Sequence, residues 1–194
     1  MLETLKKIKL LSNPSYHQAE VWLVEENGRK LVYKDFSKWG ILGAFIIKRE
    51  AWFYKKLSRI EGFPKFFGTP TPYSLLIEYI DGISSKKAKN LPEKFFERLK
   101  NLISRMHKKN IYHFDLRHLS NILVKDEKPY IIDLGTCLYI PVFGFLFKWI
   151  DECAVLYIKG RISPELLSNK EKRILKKINR ISKLWFFHKI LKGD

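Results

Sequence analysis

Three polar residues in the middle of the chain have the types and spacing that could do chemistry together. Asp115, Asn121 and Asp133 each border a short apolar run between residues 111 and 134. Such runs are typical of strands, whose ends can bring polar side chains together. Asp115 could orient a hydroxyl and take its proton, while Asn121 and Asp133 offer hard oxygen ligands for Mg²⁺. Phosphoryl transfer needs these groups, because it depends on positioning and on neutralising charge.

The order of these residues adds a second argument. A turn-capping Asp and a hairpin around residues 126–129 would explain each residue separately, but not the series. The series H-x-D-L, N-I-L-V and I-I-D-x-G over residues 113–135 resembles the catalytic and metal-binding core of the protein-kinase-like superfamily. The resemblance implies that Asp115 is the catalytic base and that Asn121 and Asp133 bind the metal. Gly135 is expected to let the backbone turn after Asp133.

The spacing departs from that of protein kinases at one point. Their catalytic-loop Asn comes five residues after the Asp, but here Ser120 occupies that position and Asn121 comes next. A one-residue bulge in residues 117–120 would restore Asn121 to its place, and the strand pattern that follows favours this interpretation. The alternative is that Ser120 or a water is the ligand.

A second group of residues is expected to hold the nucleotide. Asn27-Gly28 predicts a type I′ hairpin turn, and Lys34 lies on the second strand of that hairpin. Glu50 lies in residues 45–57, whose apolar spacing predicts an amphipathic helix. The resemblance implies that Lys34 contacts the α and β phosphates of ATP and that Glu50 pairs with it.

A further segment resembles the hinge that recognises adenine. Residues 73–82 read as a buried strand followed by a turn. The resemblance implies that backbone groups of Glu78 and Ile80 bind the base, with Val32 and Leu123 on its two faces. A buried edge strand explains the same residues without a ligand.

Two familiar kinase segments are missing from the sequence. No G-x-G-x-x-G motif precedes Lys34, so residues 12–16 are expected to cover the phosphates with hydroxyl and backbone N–H groups. No A-P-E motif follows Gly135, and a short segment leads to Asp151, which resembles the Asp that anchors the catalytic loop. The resemblance over residues 18–170 is therefore to the compact branch, RIO-type kinases and bacterial lipopolysaccharide-core kinases.

Composition and charge indicate the cellular location and the kind of partner. A hydrophobic content of 46% and 194 residues allow an independent core. Cys137 and Cys153 have no metal-type spacing and the first residues lack a signal-peptide pattern, so a cytoplasmic location is expected, with peripheral contact at the inner membrane face as an option. The formal charge of +17 indicates a polyanionic partner: nucleotide, nucleic acid, an anionic membrane or a glycolipid.

Two segments near the end of the chain could contact such a partner. Residues 171–191 read as a basic helix with an apolar stripe that includes Ile174, and this stripe is expected to be buried on the protein. Residues 138–147 are apolar but too short to span a bilayer, so they are either a core insertion or an interfacial contact.

The sequence thus predicts an α+β, small bilobal protein-kinase-like fold in a single domain, residues 1–194. Residues 1–80 would form a β-rich nucleotide-binding N-lobe and residues 81–194 a reduced, mainly helical C-lobe. The expected activity is Mg-ATP-dependent transfer of the γ-phosphate to a hydroxyl of a lipid-linked sugar or of a protein Ser/Thr. A pseudokinase that binds ATP without transfer is the alternative. A nucleic-acid-binding domain has only the charge in its favour, and the oligomeric state is left open.

Overall fold

The chain folds into two compact units. The structure, a computed structural model, describes residues 5–12 and 19–184, with side chains described up to residue 180. Unit 1 comprises Met1–Arg59 and Phe63–Ile80, and unit 2 comprises Ile60–Gly62 and Asp81–Asp194. Unit 1 is rich in strands and unit 2 is mainly helical, so the predicted fold class is confirmed.

Unit 1 is built on a five-stranded antiparallel sheet. Its strands are β1 (Lys6–Ser12), β2 (Glu20–Glu26), β3 (Arg29–Asp35), β4 (Phe66–Thr71) and β5 (Ser74–Glu78), in the spatial order β1-β2-β3-β5-β4. Asn27 and Gly28 both have positive φ, 50° and 75°, as the predicted type I′ turn requires. Residues 13–16 of the expected phosphate-covering segment lie outside the described residues.

One helix packs on this sheet. Helix α1 (Gly40–Leu57) contacts β4 and β5, and begins five residues before the predicted start at residue 45. Its buried positions include Ile47, Glu50 and Tyr54, which recur every three or four residues. The helix therefore turns Glu50 inward together with its apolar face.

The strands of unit 2 are short. Strands β6 (Ile83–Ser84), β8 (Ile122–Lys125) and β9 (Lys128–Ile131) form one sheet in the order β6-β8-β9, while β7 (Ile111–Tyr112) pairs with β10 (Leu138–Tyr139). Asp126 and Glu127 form the two-residue turn between β8 and β9, both with positive φ. These pairs place residues 113–121 and 132–137 beside strand ends.

Three helices complete unit 2: α2 (Glu93–His107), α3 (Lys148–Ile162) and α4 (Asn169–Leu184). They are joined by the buried Lys159 of α3, whose Nζ lies 2.9 Å from Glu93 Oε1 and 3.1 Å from Glu171 Oε1. Glu171 also forms a capping box with Ser168, each backbone N–H donating to the other side chain. Because this network ties α4 to α3 and α2, the start of α4 is fixed on unit 2.

The basic helix differs from the prediction in its buried positions. Ile178 of the expected stripe is half-buried. Leu175, which a Cβ on Gly160 would overlap, is also half-buried, whereas Ile174 is 42% exposed. The expectation that Ile174 belongs to a buried stripe is wrong, because the capping box and Lys159 set a different helix rotation. The part of the predicted helix beyond residue 184 lies outside the described residues.

The apolar residues 138–147 are largely exposed, so the core-insertion alternative is wrong. None of the helices in the described part of the chain is long and apolar enough to cross a membrane.

Candidate active site

The loop that carries Asp115 is anchored by one buried carboxylate. Asp151, 1% exposed on α3, accepts the backbone N–H of His113 at 2.9 Å and that of Phe114 at 3.0 Å. Its Oδ2 lies 2.8 Å from Nε2 of His107, which donates because an ionised carboxylate only accepts. The expected anchoring role of Asp151 is therefore confirmed.

The anchored backbone adopts an unusual conformation. Phe114 has φ 66°, which is uncommon for a bulky residue and is held here by its bond to Asp151. Thr136 Oγ1 also donates to the carbonyl of His113 at 2.9 Å. The loop is thus fixed from two sides directly before Asp115.

Asn121 reaches Asp115 in spite of its displaced position in the sequence. Its Nδ2 donates to both the backbone carbonyl and Oδ2 of Asp115, each at 3.0 Å. The extra residue is accommodated by a short 3-10 helix, Leu119–Asn121, while Ser120 Oγ pairs with His118 Nδ1 at 2.6 Å. Asn121, and not Ser120, is therefore the residue that contacts Asp115.

Asp133 lies next to this pair, just beyond β9. The backbone N–H of Ile132 donates to the carbonyl of Asn121 at 2.9 Å, which ties the two segments together. Asp133 itself has φ 60° and ψ 77°. The backbone turns directly after Asp133, in the 3-10 helix Leu134–Thr136 that contains Gly135, but the positive φ belongs to Asp133 and not to Gly135. A short polar side chain tolerates this region better than most.

The two carboxylates influence one another. Burial raises the pKa of Asp115 above its ordinary value, and the nearby charge of Asp133 raises it further. His113, His118 and the Asn121 hydrogen bond act in the opposite direction. Burial is the main cause of the net upward shift of this pKa, and the smaller contribution of Asp133 places a second acidic group near Asp115, where a cation would reduce their repulsion.

We expect the rate of transfer to depend on pH through Asp115. A base works only when ionised, and a raised pKa keeps Asp115 protonated to higher pH than an ordinary aspartate. The profile of kcat/KM should therefore rise with pH through an inflection above 3.8, the ordinary pKa of aspartate. A rate that falls as pH rises through the acidic range would contradict a base role for Asp115.

Unit 1 contains a buried ion pair. Lys34 Nζ lies 2.8 Å from Glu50 Oε1, with the Glu50 side chain fully buried and that of Lys34 12% exposed. Lys34 lies on β3 and Glu50 on α1, so the pair joins the sheet to its helix. The predicted pairing of these two residues is confirmed, while their contact with phosphate stays a prediction.

The expected adenine-binding residues are placed on two sheets. In unit 1, Val32 is half-buried on β3 opposite Ile77, and Ile80 is buried after β5. Glu78 is tied to Lys65, whose N–H donates to Glu78 Oε2 at 3.1 Å. Leu123 is half-buried on β8 of unit 2. Their role in binding a base stays a prediction.

Two supporting residues were not found from the sequence, His107 and Thr136. His107 lies at the end of α2 and also stacks on Tyr112, with ring centroids 4.7 Å apart. Its position on the apolar face of α2, one residue after Met106, was the signal that could have indicated its burial. Thr136 has no comparable signal, because one hydroxyl in a short turn is common.

The chain has the protein-kinase-like fold. Its strand-rich unit contains a buried Lys–Glu pair, and its helical unit contains the group formed by Asp115, Asn121 and Asp133. Residues 62–138 match the family model for lipopolysaccharide core biosynthesis protein (WaaY), which is less than half of the chain. No curated protein matches the sequence.

Two solved structures of the Rio2 kinase from Chaetomium thermophilum share the fold. One, described as an ADP/Mg²⁺-phosphoaspartate complex, has a TM-score of 0.68 and 16% identity over 95% of this chain and 69% of that one. The other has a TM-score of 0.68 and 15% identity over 95% and 71%. The resemblance to the protein-kinase-like superfamily, with RIO-like and lipopolysaccharide-kinase-like relatives, is therefore confirmed.

Proposed function

We propose that the chain transfers the γ-phosphate of ATP to a hydroxyl group in the presence of Mg²⁺. The observation that carries the proposal is the bidentate contact of Asn121 with Asp115 beside Asp133, on a loop anchored by Asp151. A structural turn would not need a buried carboxylate below it and two further acidic or amide groups at its mouth.

In this proposal Asp115 is the catalytic base. Asn121 holds one carboxylate oxygen through Nδ2, which leaves the other oxygen to accept the proton of the acceptor hydroxyl. The raised pKa brings Asp115 closer to the pH at which a base is both ionised and effective. Asp151 contributes by positioning, since it touches the loop and not the reacting atoms.

The residues present fit Mg²⁺. Nδ2 of Asn121 donates to Asp115, and the carboxamide oxygen of Asn121 and the carboxylate of Asp133 are hard oxygen donors of the kind that Mg²⁺ prefers. Among the described residues no three His, Cys, Asp or Glu side chains cluster as metal ligands. Mg²⁺ is often held by one or two carboxylates plus water and phosphate. When bound, the ion would neutralise phosphate charge.

Unit 1 would supply the nucleotide contacts. Glu50 orients Lys34, whose ammonium neutralises the phosphates, and backbone groups of Glu78 and Ile80 recognise the base, with Val32 on one of its faces. A Rio2 kinase with the same fold was solved with ADP and Mg²⁺, which supports this assignment. The proposal treats residues 1–80 and 81–194 as lobes of a single functional domain.

The acceptor is either a lipid-linked sugar or a protein Ser/Thr. The match to a lipopolysaccharide core biosynthesis family over residues 62–138 favours the sugar. A pseudokinase stays the second candidate because no glycine-rich phosphate loop precedes Lys34.

The test is thermal stabilisation by ATP with and without Mg²⁺, in wild type and in Asp133→Asn. A ligand at about a hundred times its Kd stabilises by about 2.7 kcal/mol, which raises Tm by several degrees. We expect the Mg²⁺-dependent part of this increase to disappear in Asp133→Asn, because the variant loses a metal-binding charge.

The matched control is Asp126→Asn, which removes the same charge from an exposed turn where Asn is well tolerated. It should keep the Mg²⁺-dependent shift. An equal shift in wild type and Asp133→Asn would contradict the metal role of Asp133. Since a protein of charge +17 attracts any polyanion, stabilisation by ATP that needs no Mg²⁺ does not support the proposed function.

A further inference from the structure

Exposed apolar side chains are concentrated in one part of unit 2, residues 138–149, called here the apolar segment. It contains half of the large hydrophobic side chains that are exposed in the described part of the chain. The most exposed are Tyr139, Val142, Phe143, Phe145, Leu146 and Trp149, at 50–65%. The surfaces of soluble monomeric proteins rarely expose so many large apolar side chains together unless the patch binds a partner.

The apolar segment is folded in place. Strand β10 pairs it with β7, and Gly144 is buried where a Cβ would overlap the Tyr112 ring. The Phe147 ring packs on Phe114, with centroids 5.7 Å apart. Phe143 has φ 61°, a conformation that bulky residues avoid, although its side chain is exposed and adds little to the core. Because this strained backbone conformation is not offset by burial of the Phe143 ring, we interpret it as a sign that the ring has a binding role.

Its surroundings carry positive charge. Between residues 134 and 150 the sequence has no acidic residue, and Lys148 lies within the segment. The N–H of Ile140 donates to the carbonyl of Asn110 at 2.8 Å, which brings the exposed Lys108 and Lys109 beside the segment. The formal charge of the whole chain is +17. Exposed apolar side chains surrounded by positive charge favour binding to a surface that is anionic outside and apolar inside.

We propose that the apolar segment inserts into the interface of an anionic lipid bilayer. It is too short to span the membrane and is interrupted by Pro141 and Gly144, so its contact is with the headgroup and upper acyl region. Phe and Trp side chains enter this region, while Lys108, Lys109 and Lys148 meet the lipid charge. A protein partner would explain the apolar groups but not the excess of positive charge around them.

The contact has a consequence for the acceptor, and this step rests on the proposed function. Phe147 of the segment packs on Phe114, the residue before Asp115, so insertion holds the catalytic loop at the lipid surface. A hydroxyl carried by a lipid-linked molecule is then presented where Asp115 acts. Of the two acceptor classes, this favours the lipid-linked sugar.

The experiment measures binding of the full chain to vesicles without nucleotide. The vesicles contain phosphatidylcholine alone or mixed with phosphatidylglycerol, and bound protein is separated by flotation. Wild type should bind the anionic vesicles. The double variant Phe143→Asn/Phe145→Ser should bind about a hundredfold more weakly, because it loses two Phe side chains that the bilayer would bury. Asn suits the left-handed conformation at position 143.

The matched control is Ile41→Ser/Phe45→Ser, which removes two similarly exposed apolar groups from α1 of unit 1. It should bind like wild type. Equal binding by wild type and the Phe143/Phe145 variant, or an equal loss in the control, would overturn the proposal. Self-association of wild type that the Phe143/Phe145 variant abolishes, without vesicle binding, would assign the segment to a second copy of the chain and would also overturn it.

Membrane binding and the kinase activity can fail separately. The Phe143/Phe145 variant should keep the Mg²⁺-dependent stabilisation by ATP, which is measured without vesicles. Loss of that stabilisation in wild type would refute the proposed function and leave vesicle binding standing. If wild type is stabilised by Mg²⁺ and ATP but does not bind vesicles, only the membrane contact is refuted.

Discussion

Replacing Asp115 by Asn is expected to slow phosphoryl transfer by about 10² to 10⁴-fold, the contribution typical of a general base. The carboxamide has nearly the same shape as the carboxylate, and its oxygen can still accept from Nδ2 of Asn121. It cannot take a proton from the acceptor hydroxyl. The measurement is the initial rate of phosphate transfer at saturating ATP.

The same variant should fold at least as well as wild type at neutral pH. The pKa of Asp115 is raised in the folded state, chiefly by burial and further by Asp133, so its ionisation costs folding free energy once pH exceeds that pKa. The cost grows as pH rises from the ordinary value of 3.8 through the raised pKa, so it is fully present at neutral pH, and a neutral side chain avoids it. Tm and the Mg²⁺-dependent ATP shift should therefore persist in Asp115→Asn. Transfer at the wild-type rate in this variant would refute the assignment of Asp115 as base.

Replacing Asp151 by Ala should destabilise the protein by about 3–5 kcal/mol, the cost of removing one side of a buried polar network. The change leaves the buried N–H of His113 and the ring of His107 without their acceptor, and it releases the N–H of Phe114. Thermal unfolding followed by circular dichroism should show Tm lower by about 10 °C.

Two neighbouring variants calibrate this result. Glu152→Ala removes an exposed carboxylate one residue further along α3 and should leave Tm nearly unchanged. Asp151→Asn keeps one accepting oxygen and should fall between the two, with transfer reduced more than its stability suggests because the loop before Asp115 is loosened. If Asp151→Ala unfolds at the same temperature as Glu152→Ala, the carboxylate does not anchor the loop.

The sequence predicted the features that depend on residue type at a fixed position. Asn27-Gly28 favours a turn with two positive φ angles, and the pairing of Lys34 with Glu50 was implied by the resemblance to the kinase-like family. Asp151 could be assigned from its resemblance to the anchoring Asp of the kinase-like family, and the backbone N–H groups of His113 and Phe114 do donate to it.

Other features depend on packing that one sequence does not reveal. At the turn after β9, Asp133 and not Gly135 takes the left-handed conformation, a choice that residue type alone would have given to the glycine. The rotation of α4 is set by Lys159 and Glu171, so Ile174 is exposed despite its helical spacing. Residues 138–147 could have been core or surface, since an apolar run has no periodicity that distinguishes the two.

The polar contacts within each unit are seen directly, whereas the adenine contacts are not. The Lys34–Glu50 pair and the Asp115–Asn121 contact are each formed within one unit, with short hydrogen bonds and substantial burial. The adenine contacts of Glu78, Ile80, Val32 and Leu123 rest on the resemblance. Asp115 and Asp133 are therefore the residues with which the proposed activity is best tested.

The most direct test follows the γ-phosphate itself. Purified protein is incubated with Mg²⁺, ATP labelled at either the γ or the α phosphate, and a lipid-linked sugar or a protein substrate, with Asp115→Asn in parallel. The account predicts that wild type transfers the γ label and not the α label to an acceptor hydroxyl, and that Asp115→Asn does so at least a hundredfold more slowly. Mg²⁺-dependent ATP binding with no label transferred to either acceptor would contradict it and identify a pseudokinase.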